Sequence, residues 1–230
     1  LLKSNFLAQM SHEIRTPINT ILSYASLLKY ETADKISPEL QEGFEVIESG
    51  GRRLIRTIDS ILNMSQIQTG NQEIFPEKIS LYNDILLRLF NELKQTAILK
   101  SLDFSIVNNS SSDTITGDQY SVSQLFINLI DNAIKYTPAG SVTIELENRD
   151  KESITVFIKD TGIGMSEDFL PTIFQPFSQE EQGYTRKFEG NGLGLALVKS
   201  YCTLNSGRIE VTSKKGAGTI FCVTFNLIKE

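Results

Sequence analysis

Few side chains here have the type and spacing to do chemistry. His12 is the only histidine in the 230-residue chain, and it stands in the stretch Met-Ser-His-Glu-Ile-Arg-Thr-Pro-Ile-Asn, residues 10–19. An exposed neutral imidazole is a competent nucleophile near neutral pH, provided a partner keeps the proton on the ring nitrogen that does not attack. Pro17 removes one helical hydrogen bond and can bend the helix just past His12, although relaxed packing is the simpler reading of the same proline.

Four further pieces lie downstream. In Ser-Gln-Leu-Phe-Ile-Asn-Leu-Ile-Asp-Asn-Ala-Ile-Lys-Tyr, residues 123–136, helical geometry places Gln124, Asn128, Asn132 and Lys135 in a wedge roughly 80° wide. An amide oxygen can ligate magnesium and an ammonium can neutralise phosphate, so the stripe suits a magnesium-nucleotide. A plain polar surface face has the same outline. Asp160 ends a strand in Lys-Asp-Thr-Gly-Ile-Gly-Met, residues 159–165. There a carboxylate can accept from the exocyclic amine of adenine, and Gly162 and Gly164 permit a sharp turn or close approach. A strand-to-helix turn would use the same residues. Gly190, Gly192 and Gly194 run directly into a helix, whose free N–H groups can cradle phosphate. This is neither the dinucleotide fingerprint nor a Walker loop, because no strand immediately precedes it and no Gly-Lys-Ser/Thr follows. Last comes Lys-Lys-Gly-Ala-Gly-Thr, residues 214–219, which alone reads as a hairpin turn.

The elements that must position these residues fall into two groups. Roughly the first seventy residues read as two long helices. Leu7, Met10, Ile14, Pro17, Ile21, Tyr24 and Leu28 mark the first seam, and Leu40, Phe44, Ile47, Gly51, Leu54, Ile58, Ile61 and Ser65 the second. Two helices with one narrow seam bury little apolar surface, so a homodimer forming four helices is the expected solution; a hairpin packed on the rest of the chain is the alternative. Met10 and Ile14 turned inward leave His12 facing solvent. Beyond residue 76 the pattern predicts helices at 80–100, 120–136, near 166–173 and at 192–204. Strands are predicted at 102–107, 141–148, 153–160 and over the final two segments. The fold class is a helical hairpin forming a dimeric four-helix bundle, followed by an α+β sandwich with helices on one sheet face.

Net charge is −6 with no basic stripe, which excludes a phosphate-backbone partner such as nucleic acid. Cys202 and Cys222 read as reduced thiols, and no apolar run reaches the ~18 residues a membrane helix needs, so the expected location of this piece is cytoplasmic, with a membrane-anchored or a soluble full-length protein both left open. The first residue is not methionine, and the chain reads as a piece of a longer protein.

In combination, the Asn stripe, Asp-x-Gly-x-Gly, Phe-Gln-Pro-Phe (174–177), Gly-x-Gly-x-Gly and the late Gly-x-Gly-Thr resemble the ATP-binding domain of sensor histidine kinases, within the wider GHKL ATPase group. Ser-His-Glu-Ile-Arg-Thr-Pro-Ile, residues 11–18, resembles the phospho-acceptor box of the kinases alone. The resemblance implies ATP and Mg2+ as cofactors, His12 as the phosphorylated residue, Glu13 as the carboxylate that orients its ring and takes up its proton, and Thr16 as a candidate phosphatase residue. It implies that Asn128 holds the metal, that Asn132 and Lys135 contact phosphates, and that Tyr136 packs near the base. Asp160 would read the adenine amine in a pocket shaped by Gly162 and Gly164, with Thr219 beside it. Residues 178–191 would form a lid hinged on Phe174–Phe177, from which Arg186 or Lys187 reaches the terminal phosphate. Gly192, Leu193 and Gly194 would supply the phosphate-facing turn. It further implies a response-regulator receiver domain as partner and an upstream sensory domain outside this chain. The expected organisation is residues 1–69 for dimerisation and phospho-acceptance, 70–76 as hinge and 77–230 for catalysis. Two departures from the family pattern stand out: Glu189 where glycine is frequent, and Leu-Asn-Ser-Gly (204–207) where Leu-x-His-Gly is common. The rival readings are a silent ATP-binding scaffold, a GHKL ATPase driving a conformational cycle, and a protein poised mainly as a phosphatase.

Overall fold

The computed structural model describes residues 2–32, 36–180 and 191–228, with side chains described from residue 9 onward. The chain divides into two compact units, Leu1–Gln72 and Glu73–Glu230.

The first unit is a hairpin of two helices, α1 (Leu2–Thr32) and α2 (Pro38–Gln68). Pro38 opens α2 because its missing N–H falls where no intrahelical acceptor exists. Among the described side chains of α1, Ser11, Ile18 and Ala25 are buried, spaced one heptad apart, and Met64 is buried on α2. A Cβ on Gly51 would stand 2.6 Å from Leu22 Cδ2, so that glycine lets the helices approach closely. Ion pairs Arg15–Asp59 and Lys29–Glu45 and a Ser26–Glu48 hydrogen bond set the antiparallel register.

The expected seam is therefore corrected. Met10, Ile21, Tyr24 and Leu28 of α1 are exposed, as are Leu40, Ile47, Leu54 and Ile61 of α2. Phe44, Gly51, Ile58 and Ser65, the alternate members of the α2 series, are the ones that turn inward. The apolar repeat serves two faces, and only one of them is the contact within the hairpin.

The second unit is a mixed sheet with helices on one face. Its strands and helices are β1 (Pro76–Ser80), α3 (Leu87–Leu99), β2 (Asp103–Asn108), β3 (Thr114–Asp118), α4 (Gln119–Tyr136), β4 (Ser141–Glu147), β5 (Ser153–Asp160), α5 (Gly194–Leu204), β6 (Arg208–Lys214) and β7 (Gly218–Asn226). Five strands lie in the order β2-β4-β5-β7-β6, with β2 and β4 parallel and the other neighbours antiparallel. β1 and β3 form a separate antiparallel ribbon that the sequence reading lacked. The alternation Val142, Ile144, Leu146 on β4 and Ile154, Val156, Ile158 on β5 turns one sheet face inward, against Leu125, Phe126, Leu129 and Ile130 of α4. Phe126 meets Phe225 of β7 edge-on at 6.3 Å between ring centroids.

Two helical expectations are also corrected. The helix expected from residue 80 opens with a π-helical stretch, Leu81–Leu86, before α3, and the one near 166–173 is only a 3-10 turn, Leu170–Thr172, containing Pro171. Both cysteines are free, and burial pushes the Cys202 thiol up to about 11, which leaves it chemically quiet. No helix among the described residues is long and apolar enough to cross a membrane.

Candidate functional site

Each unit presents its own cluster. On α1, His12 and Glu13 are exposed. The Thr16 hydroxyl donates to the His12 carbonyl at 3.0 Å, a back-bond one turn up the helix. Pro17 is exposed and has no N–H to return to the preceding turn. Among the described residues no hydrogen bond joins the Glu13 carboxylate to the His12 ring, so the expected pairing is not made in this conformation. His12 thus stands exposed on a helix face away from the hairpin contact.

In the second unit the nucleotide candidates gather between α4 and the first turn of α5. Asn128 donates its Nδ2 to the Gln124 carbonyl at 2.7 Å, which fixes its Oδ1 as the free end of the amide. A Cβ on Gly194 would stand 3.3 Å from that oxygen and 4.0 Å from Asn132 Nδ2. α5 begins at Gly194 without a side-chain cap, so its leading N–H groups remain available. Unpaired helix N–H groups beside two amide side chains form a cradle for phosphate oxygens, with the hard oxygen of Asn128 suited to magnesium. Gly192, at φ +71, turns the chain against the backbone of Phe177, where a Cβ would come within 2.7 Å of the Phe177 carbonyl carbon. Phe177 itself is exposed and holds φ +63, a left-handed conformation. Leu193, 1 % exposed, buries its side chain and anchors this turn. One helical turn along α4, the Lys135 ammonium donates to the Tyr136 hydroxyl at 3.1 Å and lies 4.5 Å from its ring centroid.

At the end of β5, Asp160 Oδ1 accepts from the backbone N–H of Gly162 at 2.9 Å and of Thr219 at 3.2 Å. Those two bonds hold the carboxylate in one orientation, with Oδ2 as the free acceptor. Burial raises its pKa above the ordinary aspartate value, and the two amides only partly oppose that. The glycines around it are sterically required. A Cβ on Gly162 would lie 2.4 Å from the Tyr136 carbonyl, and one on Gly164 (φ +59) would lie 2.0 Å from the Lys214 carbonyl. The structure thus brings Asp160, Gly162, Gly164 and Thr219 together, and brings Asn128, Asn132 and Gly194 together. Arg186 and Lys187, and most of the expected lid at 178–191, lie outside the described residues.

Gly218, which the sequence offers only as part of the Gly-x-Gly-Thr pattern, has φ +97 and lies so close to the Asp160 carbonyl that a Cβ would stand 2.0 Å from it. Sequence reasoning missed Asp118, which caps α4 by accepting from Ser121 N–H at 2.8 Å; an Asp three residues before a serine at a helix start was the available signal.

Comparison with known proteins fits both clusters. The His Kinase A (phospho-acceptor) domain model matches residues 2–70. The model described as histidine kinase-, DNA gyrase B-, and HSP90-like ATPase matches residues 117–229. The autoinducer 2 sensor kinase/phosphatase LuxQ of Vibrio parahaemolyticus is 38% identical over 229 residues, covering 96% of this chain and 26% of that protein. The non-motile and phage-resistance protein of Caulobacter vibrioides is 37% identical over 230 residues, covering 96% and 27%. The chain therefore spans about a quarter of the length of these relatives. Among solved structures, full-length ShkA in complex with AMPPNP aligns with a TM-score of 0.77 at 26% identity, over 96% of this chain and 45% of that one. The Acinetobacter baumannii histidine kinase AdeS shares the fold, with a TM-score of 0.64 at 21% identity over 95% of this chain and 98% of that one. With a phospho-acceptor domain and its ATPase domain in succession along one chain, this protein belongs to the sensor histidine kinases.

Proposed function

We propose that the protein transfers the γ-phosphoryl group of ATP to His12 and then passes it to an aspartate of a response-regulator receiver domain. The observation that carries this reading is the cradle in which the uncapped start of α5 meets the Asn128 and Asn132 amides, with Asp160 held ready for a base amine. In the first step a nitrogen–phosphorus bond forms at the His12 ring, the bond from the γ-phosphorus to its bridging oxygen breaks, and ADP leaves. Glu13 takes up the ring proton as the phosphoramidate forms. Mg2+, held by Asn128 Oδ1, would neutralise charge on the phosphates. Asn132 and Lys135 orient the phosphates, and Asp160 selects adenine. Residues 70–76 serve as the hinge between the acceptor and catalytic domains. The relay then exchanges the nitrogen–phosphorus bond for an acyl phosphate on the regulator.

The protein works as a homodimer in this reading. The exposed stripe of α1 (Met10, Ile21, Tyr24, Leu28) lies about 90° around its helix from the inward residues, and that of α2 (Leu40, Ile47, Leu54, Ile61) about 40°. Because the helices are antiparallel, both rotations bring the stripes to the same side of the hairpin. A second copy laid on that side makes four helices with a closed apolar centre. Leu54→Glu is expected to give a monomer by sedimentation equilibrium; a dimer that survives it would refute this face.

Thr16 supports a second activity at the same acceptor, in which its hydroxyl positions water to dephosphorylate the regulator. The test of the main reading is labelling with γ-radiolabelled ATP and magnesium. An acid-labile, base-stable label that disappears in His12→Gln is expected. Label that persists in that variant overturns the assignment.

A further inference from the structure

A buried polar knot ties α4 to α5 at the end opposite the phosphate cradle. The Asn205 amide, 8% exposed, makes three hydrogen bonds there. Its Nδ2 donates to Ser121 Oγ at 2.8 Å and to the Tyr201 carbonyl at 2.8 Å. Its Oδ1 accepts from the backbone N–H of Asp118 at 2.8 Å. Ser121, 1% exposed, passes its own hydroxyl hydrogen to the Asp118 carbonyl at 3.1 Å. The Asp118 carboxylate caps α4 with one oxygen and accepts the Phe75 N–H with the other at 3.2 Å. Each side-chain oxygen and nitrogen of Asp118, Ser121 and Asn205 is used.

The knot fixes how the two helices lie. It joins the first turn of α4 to the residue just past the end of α5, while Gly194 at the start of α5 faces Asn128 and Asn132. The helices are therefore antiparallel and in register over the 11-residue length of α5. That is about 16 Å at 1.5 Å per residue. Among the described residues the phosphate cradle is the first turn of α5 facing Asn128 and Asn132 in the second half of α4, so its width follows from the relative axial position of the two helices. A slide of one helix along the other moves the Gly194 turn past the two amides. Two of the three bonds, to Ser121 Oγ and from the Asp118 N–H, cross between the helices and resist such a slide directionally, while the one to Tyr201 fixes the amide on α5.

We infer that Asn205 is a positioning residue for nucleotide phosphates, acting through α4 and α5 without touching the nucleotide. The inference rests on the reading of the cradle as the phosphate site. Asp160 lies on the sheet, and its loop is tied to α4, where Ile163 N–H donates to the Tyr136 carbonyl at 3.1 Å, so the base end of the pocket follows α4 while the Gly194 turn follows α5. The distinguishing readout is therefore a ratio: affinity for ADP with magnesium relative to affinity for adenosine.

Titration calorimetry of ADP, with adenosine measured by competition, is carried out on the whole chain and two variants. Asn205→Leu keeps the volume and removes all three bonds. Ser121→Ala removes one of the three, together with the hydroxyl's own bond to the Asp118 carbonyl, and tests the knot if the first variant does not fold. The expected result is ADP binding weakened by about tenfold or more in Asn205→Leu and less in Ser121→Ala, with adenosine affinity within about twofold of the parent in both. Asn205→His, which keeps one donor and one acceptor, should recover part of the loss. Equal loss for both ligands, or no loss in a folded variant, overturns the inference. Failure of the parent chain to bind ADP at all would instead remove the underlying assignment of the site.

Discussion

Replacing Asp160 by asparagine tests base recognition through hydrogen-bond polarity alone, because size and shape are kept. The Gly162 and Thr219 N–H groups both point at Oδ1, so an asparagine must place its carbonyl oxygen there to keep them satisfied. Its NH2 group then occupies the Oδ2 position and faces the adenine amine, donor against donor. A hydrogen bond to a charged acceptor contributes about 1.5–3 kcal/mol, and an unpaired donor in a closed pocket costs about 1–3 kcal/mol. A net loss near 3 kcal/mol weakens ATP binding roughly 100-fold. The same NH2 group complements the 6-oxygen of inosine triphosphate, so the variant should prefer that nucleotide over ATP, reversing the parent's order. Fluorescence competition with both nucleotides reads the ratio directly. Parallel losses for the two, or an unchanged preference for ATP, would refute the assigned orientation. Stability carries an independent sign. The folded-state pKa of Asp160 is raised by burial, so the parent's stability from this group is complete below the unfolded pKa and falls as pH rises through the folded one. Asp160→Asn should therefore melt higher than the parent at pH 8, with the gap closing toward pH 4.

Two other substitutions separate fold from site. Gly194→Ala places a methyl 3.3 Å from Asn128 Oδ1 at a position with ordinary helical backbone, so the melting temperature should hold while ADP binding weakens by about tenfold. Calorimetry and thermal melts on one sample check both halves. Ser101→Gly relieves a left-handed serine (φ 56) that closes α3, where Ser101 N–H and Leu102 N–H return to Ile98 and Ala97. It should stabilise the protein by about 1 kcal/mol, read as a higher urea midpoint with unchanged slope.

Much of this arrangement was legible in the residues. The period-two segments became β4, β5 and β7 within a residue or so of their expected limits, because both faces of those strands are strongly patterned. The Asn128–Asn132 face emerged from helical spacing alone. The exposed His12 followed from its place off the apolar repeat. What failed has physical reasons. A repeat that feeds two contacts looks like one seam, so Ile18 and Ala25, which make the inner contact, were hidden beside the more apolar outer stripe. The short ribbon of β1 and β3 contains a proline, a glycine and charge, and is held by pairing across a long stretch of chain that no local pattern records. Asn205 looked like turn chemistry after a helix, and only its three buried partners reveal another role.

The register of β5 with β7 also governs when the protein can first become competent. Asp160 lies opposite Thr219, whose N–H, 59 residues later in the chain, holds the carboxylate in place. Hairpins such as β4 and β5 can close while the chain is still emerging, but the Asp160–Thr219 pairing must wait for the last strand to leave the ribosome. Non-local pairings of this kind close late and slowly. A nascent or truncated chain lacking residues 218–226 therefore has the helix amides but no fixed Asp160 carboxylate, and completion of that site reports that β7 has been made.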